Sequence, residues 1–315
     1  MPVVIYIGPE EKGAIFMKKL LQFGPVFVIL AALLWSFDGI LRRSLYILPP
    51  SVVVFYEHLL GAVILLLLSG KWLKDLKKMT KKEWLAITLV SLFSGALGTI
   101  FYTSALGKVN YIQFSVVVLL QQLQPIWAIL AAYFLLKEKI SPKFIIWALL
   151  GLVSAYLITF KDLQINLGTG SGTLIAGLLA IAAGFMWGSS TAISKYVLNK
   201  VSFLTATALR FLLAPVFALL FVIGNHQTQY LFALNQSQWL TLLAITFSTG
   251  MVALAIYYYG LKKTPARVTT ICELVWPASA VFIDYFYFHQ GLSVTQIIGI
   301  GLLSISIYKV SGFKR

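Results

Sequence analysis

Cysteine occurs once in 315 residues, at Cys272, so the chain can form no internal disulfide and no Cys-based zinc site. The three histidines are scattered, with no HExxH spacing, and no Gly-rich phosphate loop is present. No metal site, catalytic set or cofactor is therefore expected, and the chain carries no machinery for ATP hydrolysis. Charge is scarce as well: 11% of residues carry it, with ten acids against 25 bases. No stretch between apolar runs is long enough to fold as a soluble domain.

What remains is apolar. Hydrophobic residues make up 59% of the chain and the mean hydropathy is +0.88, the signature of an all-α polytopic membrane protein. A net charge of +15 would suggest nucleic acid in a soluble protein; here its distribution is read as membrane topology, with no nucleic-acid partner. Ten transmembrane spans are read at 24–46, 50–70, 84–106, 110–136, 142–160, 173–198, 203–224, 238–260, 266–289 and 293–311. Each has roughly the 18–25 residues that a hydrocarbon core requires. With that assignment 20 Lys and Arg fall on one side and four on the other. The excess places both termini in the cytoplasm of an inner- or plasma-membrane protein. Met17-Lys18-Lys19 reads as a start directly before the first span, so residues 1–16 are expected to be a flexible extension.

The sequence repeats itself. A shift of 152 aligns Trp35 with Trp187, His58 with Arg210, Pro125 with Pro277 and Ser141 with Ser293. In the third span the shift is 155, aligning Gly95 with Gly250 and Tyr102 with Tyr257. Two copies of a five-helix unit follow, expected over 24–160 and 173–311. Residues 161–172 form a linker, and 1–23 and 312–315 form cytoplasmic ends. Five is odd, so the copies must be inverted, which puts a substrate site near the midplane between them.

AALLWSFDGILRR opens one half and AAGFMWGSSTAISK the other. With the ALGKVNY and QQLQPIWAILAAYFLLKEKIS blocks and ALRFLL around Arg210, the chain resembles the drug/metabolite transporter superfamily, in particular its EamA-type members. The second repeat departs from the pattern, with His289-Gln290 where the first has Glu138. The resemblance implies that spans 1, 3, 4, 6, 8 and 9 line a central cavity and that the activity is movement of small metabolites.

The candidate site rests on the polar residues inside the spans. Pro125 and Pro277 each remove a backbone donor, and an unpaired carbonyl in hydrocarbon needs protein or a watery cavity beside it. Gln121, Gln124 and Glu273 flank those two breaks. Intramembrane ionisable groups are costly and so are functional candidates. Asp38 and Glu273 are assigned to the cavity, with the aromatic residues Trp35, Tyr102, Trp187, Tyr257 and Trp276 and the hydroxyl of Ser190. Arg42, Arg43, Glu57, His58, Lys195 and Arg210 are assigned to ionic latches above and below it. The bland alternatives are charges that only fix helix packing and aromatic residues that only anchor helices.

The expected function is secondary transport of an amino-acid-like or amphipathic solute by alternating access. Its partners are a small-molecule substrate and the bilayer, in a monomer or homodimer. The alternatives are a proton-coupled exporter of cationic amphiphiles and, outside transport, a lipid-modifying membrane enzyme or a non-transporting scaffold.

Overall fold

The computed structural model describes residues 23–68, 70–108, 120–163, 171–287 and 291–312, and among them every regular element is helical. Nine segments are long and apolar enough to cross a membrane, with a shorter apolar helix in the fourth position. In chain order they are α1 (Gly24–Arg42), α2 (Pro50–Leu67), α3 (Lys81–Leu106), α4 (Gln124–Leu136) and α5 (Pro142–Thr159), then α6 (Leu174–Leu198), α7 (Phe203–Gly224), α8 (Gln236–Lys263), α9 (Ala266–Ile283) and α10 (Val294–Ser311). α4 has only 13 residues. Residues 110–119, the first part of the apolar run read at 110–136, lie outside the described residues, as do 1–22.

Matching residues start matching helices. Thr80 caps α3 through a reciprocal capping box with Glu83, and Asn235 caps α8 through one with Gln238. Ser141 and Ser293 accept the Phe144 and Gln296 N–H groups at the starts of α5 and α10. These side chains occupy backbone donors that have no intrahelical acceptor.

Packing obeys the same exchange. α1 lies on α8 as α6 lies on α3, and α4 lies on α6 as α9 lies on α1. α2 pairs with α7, and α5 with α10. Each of these contacts joins one repeat to the other. The small-residue face of α6 seats against the start of α4. A Cβ added at Gly184 would stand 2.9 Å from the Gln121 carbonyl oxygen, and one at Gly188 2.5 Å from that of Gln124. Glycine is what permits that approach.

Three spans are interrupted. Turns fall at Gln122–Leu123 before α4 and at Glu273–Leu274 within α9. Pro125 and Pro277 then sit in the first turns of the helices that follow, Gln124–Leu136 and Val275–Tyr287, where a missing N–H costs no hydrogen bond. The third interruption, Ser36–Phe37 in α1, has no proline and breaks a span expected to be continuous. The sequence also gave no warning of two π-helical turns, Ser91–Leu97 in α3 and Thr246–Gly250 in α8. They are repeat counterparts. In each, the first hydroxyl donates to the carbonyl four residues back, Ser91 to Ile87 and Thr246 to Leu242, both at 2.8 Å. Hydroxyls bonded this way compete with the helical ladder and bend it.

Candidate functional site

The breaks and π-helical turns converge on one cavity, with about 1080 Å³ of atom-free space, part of it open to solvent. All the spans that the resemblance implied contribute to its wall. α2 and α7, expected outside it, contribute as well, through Glu57 and His58 and through Arg210 and Phe211. The reason is the pairing of α2 with α7, which turns these polar positions inward, away from lipid.

The aromatic residues come in two matched pairs, each spanning the repeats. The Trp35 and Tyr257 ring centroids are 5.1 Å apart at an interplanar angle of 51°; those of Trp187 and Tyr102 are 5.2 Å apart at 54°. Trp276 adds an edge-on contact with Tyr102 at 6.2 Å. All five rings line the cavity.

Between the breaks runs a chain of side-chain hydrogen bonds. Gln121 Nε2 donates to Gln124 Oε1 at 2.8 Å, and Gln124 Nε2 donates to Glu273 at 2.6 Å. The Tyr257 hydroxyl donates to the other Glu273 oxygen at 2.8 Å and lies 3.1 Å from the Thr191 hydroxyl. Other polar atoms of cavity-lining residues are buried with no hydrogen-bond partner among the described residues: Gln121 Oε1, Gln122 Nε2, Trp276 Nε1, Arg210 Nε, and the hydroxyls of Tyr102, Ser190 and Thr270. Buried polar atoms in proteins are rarely left unpaired, so this set is suited to a polar ligand.

A second group closes around Arg42. Its guanidinium donates to Asp38 four residues back and to Glu57 of α2 at 2.7 Å, and reaches Thr103 of α3 at 3.4 Å. Asp38 also accepts from Thr249, in the π-helical turn of α8, at 2.6 Å. Asp38, Arg42 and Glu57 are 9%, 3% and 4% exposed. The group thus ties α1, α2, α3 and α8 together, with one guanidinium bridging two carboxylates.

The other residues assigned to latches are placed differently. The side chain of Arg43 lies outside the described residues. His58 is hydrogen-bonded through Nδ1 to the Val54 carbonyl at 3.0 Å and stacks on Phe211. Arg210 donates to the Ser94 carbonyl, in the π-helical turn of α3, at 2.9 Å. Lys195 lies off the cavity wall and donates to the Leu261 and Lys262 carbonyls at 2.7 Å, at the end of α8. Pro125 lines the cavity; Pro277 is outside the wall. Ser94, Thr99, Gln122, Thr249 and Thr270 line it too, and were not among the residues assigned to the cavity from the sequence. The signal for Ser94 and Thr249 was present in the matched segments SLFSG and TFSTG.

A helical membrane protein whose two repeats jointly wall a polar and aromatic cavity is built as a small-molecule transporter. The EamA-like transporter family matches residues 22–160 and again 174–312, and the chain belongs to that family. It is 38% identical over 292 residues to a protein of Fusobacterium nucleatum named riboflavin transporter ImpX, covering 91% of this chain and 97% of that one. It is 24% identical to the uncharacterized transporter YetK of Bacillus subtilis, over 95% of this chain and 89% of the relative. One solved crystal structure superposes with a TM-score of 0.71 over 92% of this chain and 95% of its own, at 18% identity, which speaks to fold alone.

Proposed function

We propose that this integral membrane protein is a secondary transporter of riboflavin or of a solute with the same chemistry: planar, heteroaromatic and uncharged, with a polar edge. It has ten spans in two inverted repeats and cytoplasmic termini in the inner or plasma membrane. It moves its solute unchanged by alternating access, and is not an enzyme. The 38% identity to the riboflavin transporter, over nearly the whole of both chains, supports the substrate. The observation that carries the reading is the pair of cross-repeat aromatic contacts, Trp35–Tyr257 and Trp187–Tyr102, beside two buried amide atoms without partners among the described residues, Gln121 Oε1 and Gln122 Nε2. Ring faces suit a flat aromatic system, and the Gln121 oxygen with the Gln122 and Trp276 N–H groups offers an acceptor and two donors. The dioxopyrimidine edge of a flavin carries the complement, one donor and two acceptors.

The amino-acid-like solute expected from the sequence needs a partner for a carboxylate and one for an ammonium group. Arg210 and Glu273 are the candidates in the wall. Glu273 already accepts from Gln124 and Tyr257, so an ammonium group would have to displace both donors, which favours the uncharged solute. Arg210 donates to the Ser94 carbonyl and keeps its buried Nε without a partner among the described residues, a further donor for a polar edge.

Purified protein in liposomes tests the proposal through riboflavin fluorescence. Saturable, protein-dependent uptake is expected, with chromatography recovering unmodified riboflavin from the lumen. Absence of both uptake and binding, or recovery of a converted product, would overturn it.

A further inference from the structure

Three carboxyl side chains line the cavity, and they are not equivalent. Asp38 and Glu57 share the Arg42 guanidinium. Glu273 has no Lys, Arg or His in ion-pair contact among the described residues; its two oxygens accept only from the Gln124 amide and the Tyr257 hydroxyl. It also stands at the turn that divides α9, facing the residue that opens α4.

From this geometry, and resting on the transport function proposed above, we infer that Glu273 takes up and releases a proton in each cycle, so that solute flux and proton flux are coupled. The charged and titratable groups around it are committed elsewhere. On α1, Arg42 is held by Asp38 and Glu57. On α6, the Lys195 ammonium is held by main-chain carbonyls. On α8, Tyr258 lies against Ser194 and Arg210, Lys262 donates to the Val201 carbonyl, and Lys263 covers the Tyr259 ring. α4 presents amides at this level; Glu138, just beyond its far end, is paired with Arg267. On α5, Tyr156 packs on Phe160, and on α10, Lys309 lies over Trp147. Cys272, beside Glu273 in sequence, faces Ser311. Beyond those two hydrogen bonds, water entering the open cavity is left as the stabilisation of the ionised carboxylate, and closure of the cavity removes it.

Protonation has a mechanical consequence. An ionised carboxylate only accepts hydrogen bonds, which suits the two donors aimed at it; a protonated one must donate from one oxygen. Either Tyr257 then turns towards Thr191, or Gln124 turns its carboxamide oxygen to Glu273 and drops the bond from Gln121. Both changes rewire a chain that joins α4 of the first repeat to α6, α8 and α9 of the second. The proton is thereby linked to the relative position of the repeats.

The alternative is a static brace between the two breaks, which would affect stability and leave proton balance untouched. Infrared pH-difference spectra of the full-length protein in liposomes separate the two. A carboxylic acid C=O band that titrates in the wild type, moves in Glu273→Asp and is missing in Glu273→Gln is expected. Proteoliposomes containing a pH-sensitive dye provide the second readout. A riboflavin gradient should move protons through the wild type and Glu273→Asp, with the proton-to-riboflavin ratio of Glu273→Gln at background. Persistence of the band in Glu273→Gln, or wild-type riboflavin flux with no proton movement, would sink the inference and leave the transport reading standing. If riboflavin is not carried at all, that reading falls, and the infrared titration by itself decides for or against the proton site.

Discussion

Trp35 and Tyr257 meet with ring centroids 5.1 Å apart although they belong to opposite repeats, and Trp187 and Tyr102 reproduce the contact at 5.2 Å. Stacking of a flat heteroaromatic ring on one aromatic side chain contributes about 1–3 kcal/mol. Trp187→Ala is therefore expected to weaken riboflavin binding by about tenfold or more. Trp187→Phe should keep part of the affinity, because a ring face remains while stacking area and the indole bond to the Ser94 carbonyl at 3.3 Å are lost. Tryptophan quenching titrations measure both. Equal affinity in wild type and Trp187→Ala would remove the ring from the binding surface.

The Arg42 group sets a different expectation. Arg42→Met strands two buried carboxylates and is expected to cost about 3–5 kcal/mol of stability. The triple change Asp38→Asn, Arg42→Met, Glu57→Gln should recover much of that loss, since neutral groups in the same volume need no counter-charge. Thermal unfolding in detergent reads both. A triple variant less stable than Arg42→Met would show that stranded charge is not the source of the loss.

Gly188 tests the seating of α6 on the break before α4. Gly188→Val must displace the Gln124 carbonyl, which a Cβ would approach to 2.5 Å, and overpacking of this kind costs about 1–3 kcal/mol. Gly301→Ala is the control, because nothing lies within 4 Å of the added carbon. It should be neutral or stabilising by up to about 1 kcal/mol from helix propensity. Similar melting shifts in the two variants would argue against the close contact.

Asp75 lies outside the spans, in a short helical turn over Gly70–Lys78. The Lys78 side chain, with the Ser202 N–H and the Thr205 hydroxyl, holds its carboxyl well below the usual carboxylate range. A depressed folded-state pKa contributes stability above the ordinary carboxylate pKa of about 4, and that stability is lost as the pH falls below it. Amide exchange at the start of α7 should therefore rise in acid in the wild type. Asp75→Asn should show raised exchange already at neutral pH and a flatter acid limb. An acid response unchanged by the substitution would place its origin elsewhere.

Much of the fold was legible because its determinants are local. Span positions follow from runs of apolar residues, and the two-copy architecture follows from matched positions such as Trp35 with Trp187 and Ser141 with Ser293. The caps at Thr80 and Asn235 need only a few neighbouring residues to form. The same repeat singled out Gln121, Gln124, Glu273 and the five aromatic residues, all of which line the cavity.

By itself, then, the sequence determined the class of protein, the repeat and the stock of polar groups within the spans. Only the tertiary structure decided their partners. Nothing in spacing says that Trp35 meets Tyr257, that Arg42 takes Glu57 as well as Asp38, or that Lys195 turns to main-chain carbonyls while Glu273 keeps neutral neighbours. Those choices depend on crossing angles and close approaches between helices far apart in the chain, and on the break at Ser36–Phe37 and the two π-helical turns that re-aim side chains. A helix period fixes which residues share a face; which surface that face meets is settled by packing.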